Sequence, residues 1–170
     1  MIALQRFDSN DYTQLIEWID SKKILMQFGG PEFSYPLTVP QIEKHLRDPK
    51  RQSFKVIDLD NNITIGHAEI YNDSKNKKTL KICRVLIGDK SQRGKGLGNR
   101  IINELLKIIF IKQNMEKAEL NVFDWNIGAI KCYEKVGFIV NPKEASKLIM
   151  NGELWKTINM IIEKKDWKNI

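Results

Sequence analysis

The sequence predicts an α+β fold in one domain spanning residues 1–170, and three observations carry that prediction. Three β-rich runs, residues 54–59, 63–71 and 79–88, follow one another with only turns between them, which predicts three consecutive antiparallel strands. A strongly apolar run begins at Leu97, with Ile101, Leu105 and Ile108 at helical spacing and Ile102, Leu106 and Ile109 beside them, giving a broad helix face to bury. Asn151-Gly152 lies between the runs 145–150 and 153–162. Asn-Gly suits a two-residue hairpin turn, because both turn positions take positive φ.

Taken in order, Ile2 to Phe7 alternates as a short strand, and Asp8-Ser9-Asn10 offers capping side chains before Tyr12, Leu15, Ile16 and Ile19, which recur at helical spacing. Residues 28–36, rich in glycine, proline and aromatic side chains, read as a loop able to line a pocket. Thr38, Pro40 and Gln41 have the spacing of a capping box and predict a helix running to about Arg47. Asp60-Asn61-Asn62 predicts the turn between the first two of the three strands. After the apolar helix, Leu120 and Val122 mark another strand, and Gly137 ends a helix over residues 127–135. The predicted order is βα, α, βββ, α, β, α, ββ.

At 170 residues, with 42% apolar and 29% charged side chains, the chain has enough core for a globular domain without metals or disulfides. Its first residues lack the order of a signal peptide, and no apolar run reaches the length of a membrane span, so a cytoplasmic address without membrane attachment is expected. Cys83 and Cys132 have no metal-ligand spacing and read as buried free thiols. The formal charge of +7 raises the question of nucleic acid. However, the basic residues at 75–81, 143–147 and 164–168 are interleaved with acidic and amide side chains, and no nucleic-acid-binding motif accompanies them.

The stretch Gln92-Arg93-Gly94-Lys95-Gly96-Leu97-Gly98 stands directly before the apolar helix. Alternate glycines let backbone N–H groups converge on one point, the helix adds the positive end of its dipole, and Arg93 and Lys95 supply full charges. Such a turn is suited to an anion, above all the phosphate of a cofactor.

That turn resembles the pyrophosphate-binding pattern of the GNAT superfamily of N-acetyltransferases. Some thirty residues on, Asn126, Ala129, Tyr133, Gly137 and Phe138 fall at the spacing of that family's second signature. The resemblance extends to the branch containing ribosomal-protein-alanine acetyltransferases, through residues 15–19, the Gly29-Gly30 loop, residues 87–90 and the Asn151-Gly152 hairpin. It implies a mixed, mostly antiparallel central sheet with helices on both faces and two strands splayed where acetyl-CoA binds. It also implies direct acetyl transfer, without a metal, to a primary amine of a peptide N-terminus or a small molecule. The oligomeric state would be a monomer or homodimer.

By the same resemblance, Gln92 to Gly98 and Asn126 would hold the cofactor, and Val85, Leu86 and Ile87 would present the edge that pairs with its pantetheine arm. Tyr133 would be the general acid for the departing thiolate, against the alternative of a core tyrosine, and Asn126 would also cap its helix. Ile82 stands where many members carry a glutamate. The base is therefore sought at Glu69, which shares a strand face with His67. Phe33, Tyr35 and Trp155 are candidate acceptor walls or, equally, sheet packing. Glu32 is there without a dense acidic cluster, which gives a polyamine acceptor little support. A CoA-binding sensor without turnover and a basic RNA-binding protein are the alternative readings.

Overall fold

The computed structural model describes residues 1–73, 77–150 and 152–168. Its strands are β1 (Ile2–Arg6), β2 (Arg51–Asp58), β3 (Ile63–Tyr71), β4 (Thr79–Ile87), β5 (Lys117–Phe123), β6 (Ile139–Val140), β7 (Ser146–Met150) and β8 (Glu153–Glu163). They form one sheet in the order β1-β2-β3-β4-β5-β8-β6, with β7 paired to β8. Strands β1 to β4 run antiparallel to their neighbours, as expected from their short turns. β4 and β5 are parallel, and the connection that a parallel pair requires is the apolar helix α4 (Leu97–Leu106), continued by a π-helical turn over Lys107–Lys112. β7 and β8 form the expected hairpin, with Gly152 at φ +80°; Asn151, like Lys75 of the first basic run, lies outside the described residues.

The helices before β2 are α1 (Tyr12–Trp18), α2 (Lys22–Gly29) and α3 (Val39–Leu46). Asp8 caps a 3-10 turn that leads into α1, with Asn10 N donating to its carboxylate at 2.9 Å. α2 corrects the reading of residues 28–36 as wholly loop. Ser21 Oγ accepts from Ile24 N, while Leu25 and Phe28 bury one face, so Phe28 and Gly29 end a helix rather than begin a loop. α3 starts at the expected place without the capping box. The Gln41 amide instead donates to the carbonyls of Ser34 and Pro36 and accepts from Ser34 N, tying down the segment that precedes the helix.

Strand alternation divides the interior in two. Ala68 and Ile70 of β3 join Ile101, Ile102 and Leu105 of α4 in one core. His67 points the opposite way, its ring against Phe7 and Phe28 of a second core built from α1, α2 and α3. Glu69 shares this second face, where it meets His45 of α3. The last helix, α5 (Ile127–Val136), packs on α4 and stops at Gly137, whose φ is +112°.

Candidate active site

β4 and β5 pair only from Thr79 with Lys117 to Ile82 with Leu120, although both strands continue. The reason lies on the other edge of β4. Its register against β3 slips between His67, opposite Leu86, and Glu69, opposite Cys83. The slip is a bulge with Arg84 in the left-handed region at φ +50°, and a bulge bends its strand. The resulting cleft of about 730 Å³ is lined by Val85, Leu86 and Ile87 on one side and by Leu120, Val122 and Phe123 on the other. The β5-facing edge of residues 83–87 therefore has no strand partner among the described residues.

At one end of the cleft lies the glycine turn. Asp89 caps a 3-10 turn over Lys90–Gln92, after which Gly94 and Gly96 take φ of +79° and +75°. Beyond the glycine and its two chain neighbours, no heavy atom of the described residues lies within 4 Å of where a Cβ on either would stand, so the turn is an open cradle at the N-terminus of α4. Arg93, Gly94, Gly96, Leu97 and Gly98 line the cleft. Arg93 donates through Nε to the Ile87 carbonyl at 3.0 Å, which fixes its guanidinium beside the cradle. Gln92 and Lys95 do not line the cleft; Lys95 Nζ donates to Gln92 Oε1 at 3.3 Å.

α5 delivers the polar groups of the opposite wall. Asn126 caps it, accepting from Ala129 N at 3.3 Å, and lines the cleft. Tyr133 lies further along the same helix and also lines the cleft, its ring tilted against Phe138 at 6.1 Å. Burial, with lesser contributions from Cys132 and Cys83, pushes its phenol above the usual value, so it is protonated throughout the neutral range. Both cysteines are half-buried in the cleft wall rather than fully buried. Cys132 Sγ donates to Asn99 Oδ1 at 2.8 Å, and burial pushes the Cys83 thiol up to about 11. Ile82, at the expected glutamate position, is a core residue between β3 and β5.

Glu69, the expected base, stands outside the cleft lining. It is only 1% exposed. Its Oε1 lies 3.0 Å from His45 Nε2, 3.1 Å from His67 Nε2 and 3.3 Å from Ser53 Oγ, while Oε2 accepts from Arg51 Nη1 at 2.8 Å and Arg84 Nη1 at 3.2 Å. Burial alone would raise this carboxyl. Hydrogen bonds from His45 and His67, with the charges of His67 and Arg84, more than offset it and hold the group well below the ordinary 4.5. The second His45 nitrogen faces Glu32 Oε1 at 3.2 Å. The network thus joins β2, α3 and β3 to the bulge residue Arg84, whose role sequence spacing did not reveal.

The expected acceptor walls also stand elsewhere. Phe33 packs between Phe28 and His45 with Arg84 over its face, Tyr35 donates to the Asp20 carbonyl at 3.2 Å, and Trp155 meets Phe123 and Trp125 edge-on. None of the three lines the cleft. On the acceptor side that place is taken by Ile24, Gln27 and Phe28 of α2 and by Leu148 of the β7–β8 hairpin.

A family model described as the acetyltransferase (GNAT) family matches residues 13–138. An aminoglycoside N(6')-acetyltransferase type 1 of Klebsiella pneumoniae is 26% identical over 148 residues, covering 81% of this chain and 73% of that protein. A spermidine N(1)-acetyltransferase of Vibrio cholerae is 27% identical over 169 residues, covering 98% and 94%. Among solved structures, a spermidine N-acetyltransferase from Vibrio cholerae in complex with CoA and spermine superposes with a TM-score of 0.76 at 22% identity, covering 97% of this chain and 96% of that one.

Proposed function

The chain belongs to the acetyltransferase (GNAT) family and is an N-acetyltransferase that uses acetyl-CoA; from that membership we propose that it moves the acetyl group directly to the primary amine of a small molecule, with Tyr133 as general acid. The observation that carries this reading is the interruption of β4–β5 pairing beyond Ile82, which leaves a strand edge, a phosphate cradle and a phenol facing one cleft. The relatives named for aminoglycosides and spermidine favour a small amine over the protein N-terminus suggested by the ribosomal-protein-alanine resemblance.

The residues divide the work. Backbone N–H groups from Arg93 to Gly98 and the Arg93 guanidinium fit a pyrophosphate, because the glycine φ values turn amides toward one point beside a helix N-terminus. The open edge over Val85 to Ile87 offers backbone groups to an extended amide-bearing arm and a donor to the oxygen on which charge develops. Bound acetyl-CoA supplies the thioester. Tyr133 keeps its proton until a thiolate departs nearby, then gives it up.

Two measurements test the reading. Isothermal titration of coenzyme A into the protein should give saturable heat, and small amines should provoke acetyl-CoA-dependent thiol release; no heat would remove the cofactor assignment. An alanine at Gly96 must hold φ near +75°, a conformation that costs an L residue about 1–2 kcal/mol. Gly96→Ala should therefore raise the Kd for coenzyme A by about 5–30-fold. An unchanged Kd would separate the glycine turn from cofactor binding.

A further inference from the structure

We propose that the acceptor is a primary monoamine on an apolar or aromatic body, and that the cleft excludes polycations such as polyamines and aminoglycosides. The proposal rests on the N-acetyltransferase reading and narrows its substrate class. Among the described residues that line the cleft there are five cations, Lys81, Arg84, Arg93, Lys131 and Lys135, and no aspartate or glutamate. Phosphates bound at the glycine turn would offset Arg93 and the α5 lysines, while Lys81 is paired with Glu119 at 3.2 Å and Arg84 with Glu69 at 3.2 Å, so those carboxylates are spoken for. A multiply charged amine entering this cleft would give up water at several ammonium groups and find no carboxylate for any of them.

The two carboxylates that face Arg84 of the cleft wall are already engaged. Glu69 is consumed by its buried partners, and Glu32 faces His45 at 3.2 Å and Arg84 at 3.9 Å. The exposed aromatic face nearby is occupied as well. Lys23 Nζ stands 5.4 Å over the Trp125 ring, where a ligand cation would otherwise be held, with Trp155 inclined to that ring at 72°. The remaining acceptor walls, Ile24, Phe28, Phe123 and Leu148, are apolar. A single amine on an apolar body matches such walls, and loss of water against them, with no carboxylate in the lining to hold the charge, favours its loss of a proton, the form that attacks a thioester. The cleft can thus supply a neutral nucleophile without the strand glutamate that Ile82 replaces.

The test compares kcat/KM for phenethylamine and tryptamine with that for spermidine, kanamycin and an alanine-initiated peptide, using full-length protein, with coenzyme A binding followed by calorimetry. The arylalkylamines should exceed the polycations and the peptide by at least about tenfold. Gln27→Glu, which adds a carboxylate to an exposed cleft-lining position, should raise kcat/KM for spermidine at least about fivefold. Spermidine, kanamycin or the peptide matching the arylalkylamines overturns the proposal, as does a Gln27→Glu enzyme no better with spermidine. No turnover of any amine while coenzyme A still binds also overturns it, whereas absence of coenzyme A binding overturns the reading beneath it.

Discussion

Tyr133→Phe is expected to lower kcat by about 10²–10⁴-fold, the range that a positioned general acid contributes, while leaving the Kd for coenzyme A within about twofold. The substitution removes one oxygen and keeps the ring that packs against Phe138. Burial raises the phenol above its usual value, which would seem to weaken it as an acid. The same wall, however, pushes the Cys83 thiol up to about 11, so a thiolate leaving in this cleft is itself a stronger base than in water. Donor and acceptor are raised together and the transfer stays matched. Steady-state kinetics with a saturating amine and calorimetry with coenzyme A check both halves. A kcat within threefold of the parent would make Tyr133 a packing residue, and equal loss of coenzyme A affinity would make it a binding one.

The glycine turn and the α5 cap were legible because they are written in local sequence. Gly94, Gly96, Asn126 and Gly137 each impose a backbone conformation or cap on their own segment, and each does so in the structure. The three consecutive antiparallel strands and the last hairpin followed equally from turns and apolar spacing, whereas β6 did not. The acceptor half is assembled from distant elements and left no comparable trace. Breakers at Gly29, Gly30 and Pro31 concealed α2, although Leu25 and Phe28 at i and i+3 with Ser21 in front were a readable signal. Phe33, Tyr35 and Trp155 are aromatic and near the right loops, yet Phe33 and Trp155 stand behind the lining residues Phe28 and Phe123, and Tyr35 bonds the Asp20 carbonyl. The left-handed Arg84 could not be anticipated, since it answers to a register slip between β3 and β4 rather than to its neighbours in sequence.

The second large effect concerns the hub that sequence spacing cast as a base. Glu69→Gln keeps the shape but removes a buried negative charge facing Arg51, Arg84, His45 and His67. Breaking one partner of a buried ion cluster costs about 3–5 kcal/mol, because the charges left behind have lost water and gained nothing. Denaturant unfolding should record a loss of that size without a change in slope. The pH dependence has a definite sign. Since the folded-state value lies well below 4.5, the stabilisation is complete above the unfolded value and is lost as pH falls below it through the folded one. The parent should therefore lose stability on acidification below about 4.5, and Glu69→Gln should lose less over the same window. Arg84 holds the bulge that separates β4 from β5, and freeing its Nη1 from Glu69 loosens the cleft. A raised KM for acetyl-CoA in Glu69→Gln should accompany the lost stability, and a variant with parental stability and a lost acidic limb in its pH–rate profile would restore Glu69 as the base.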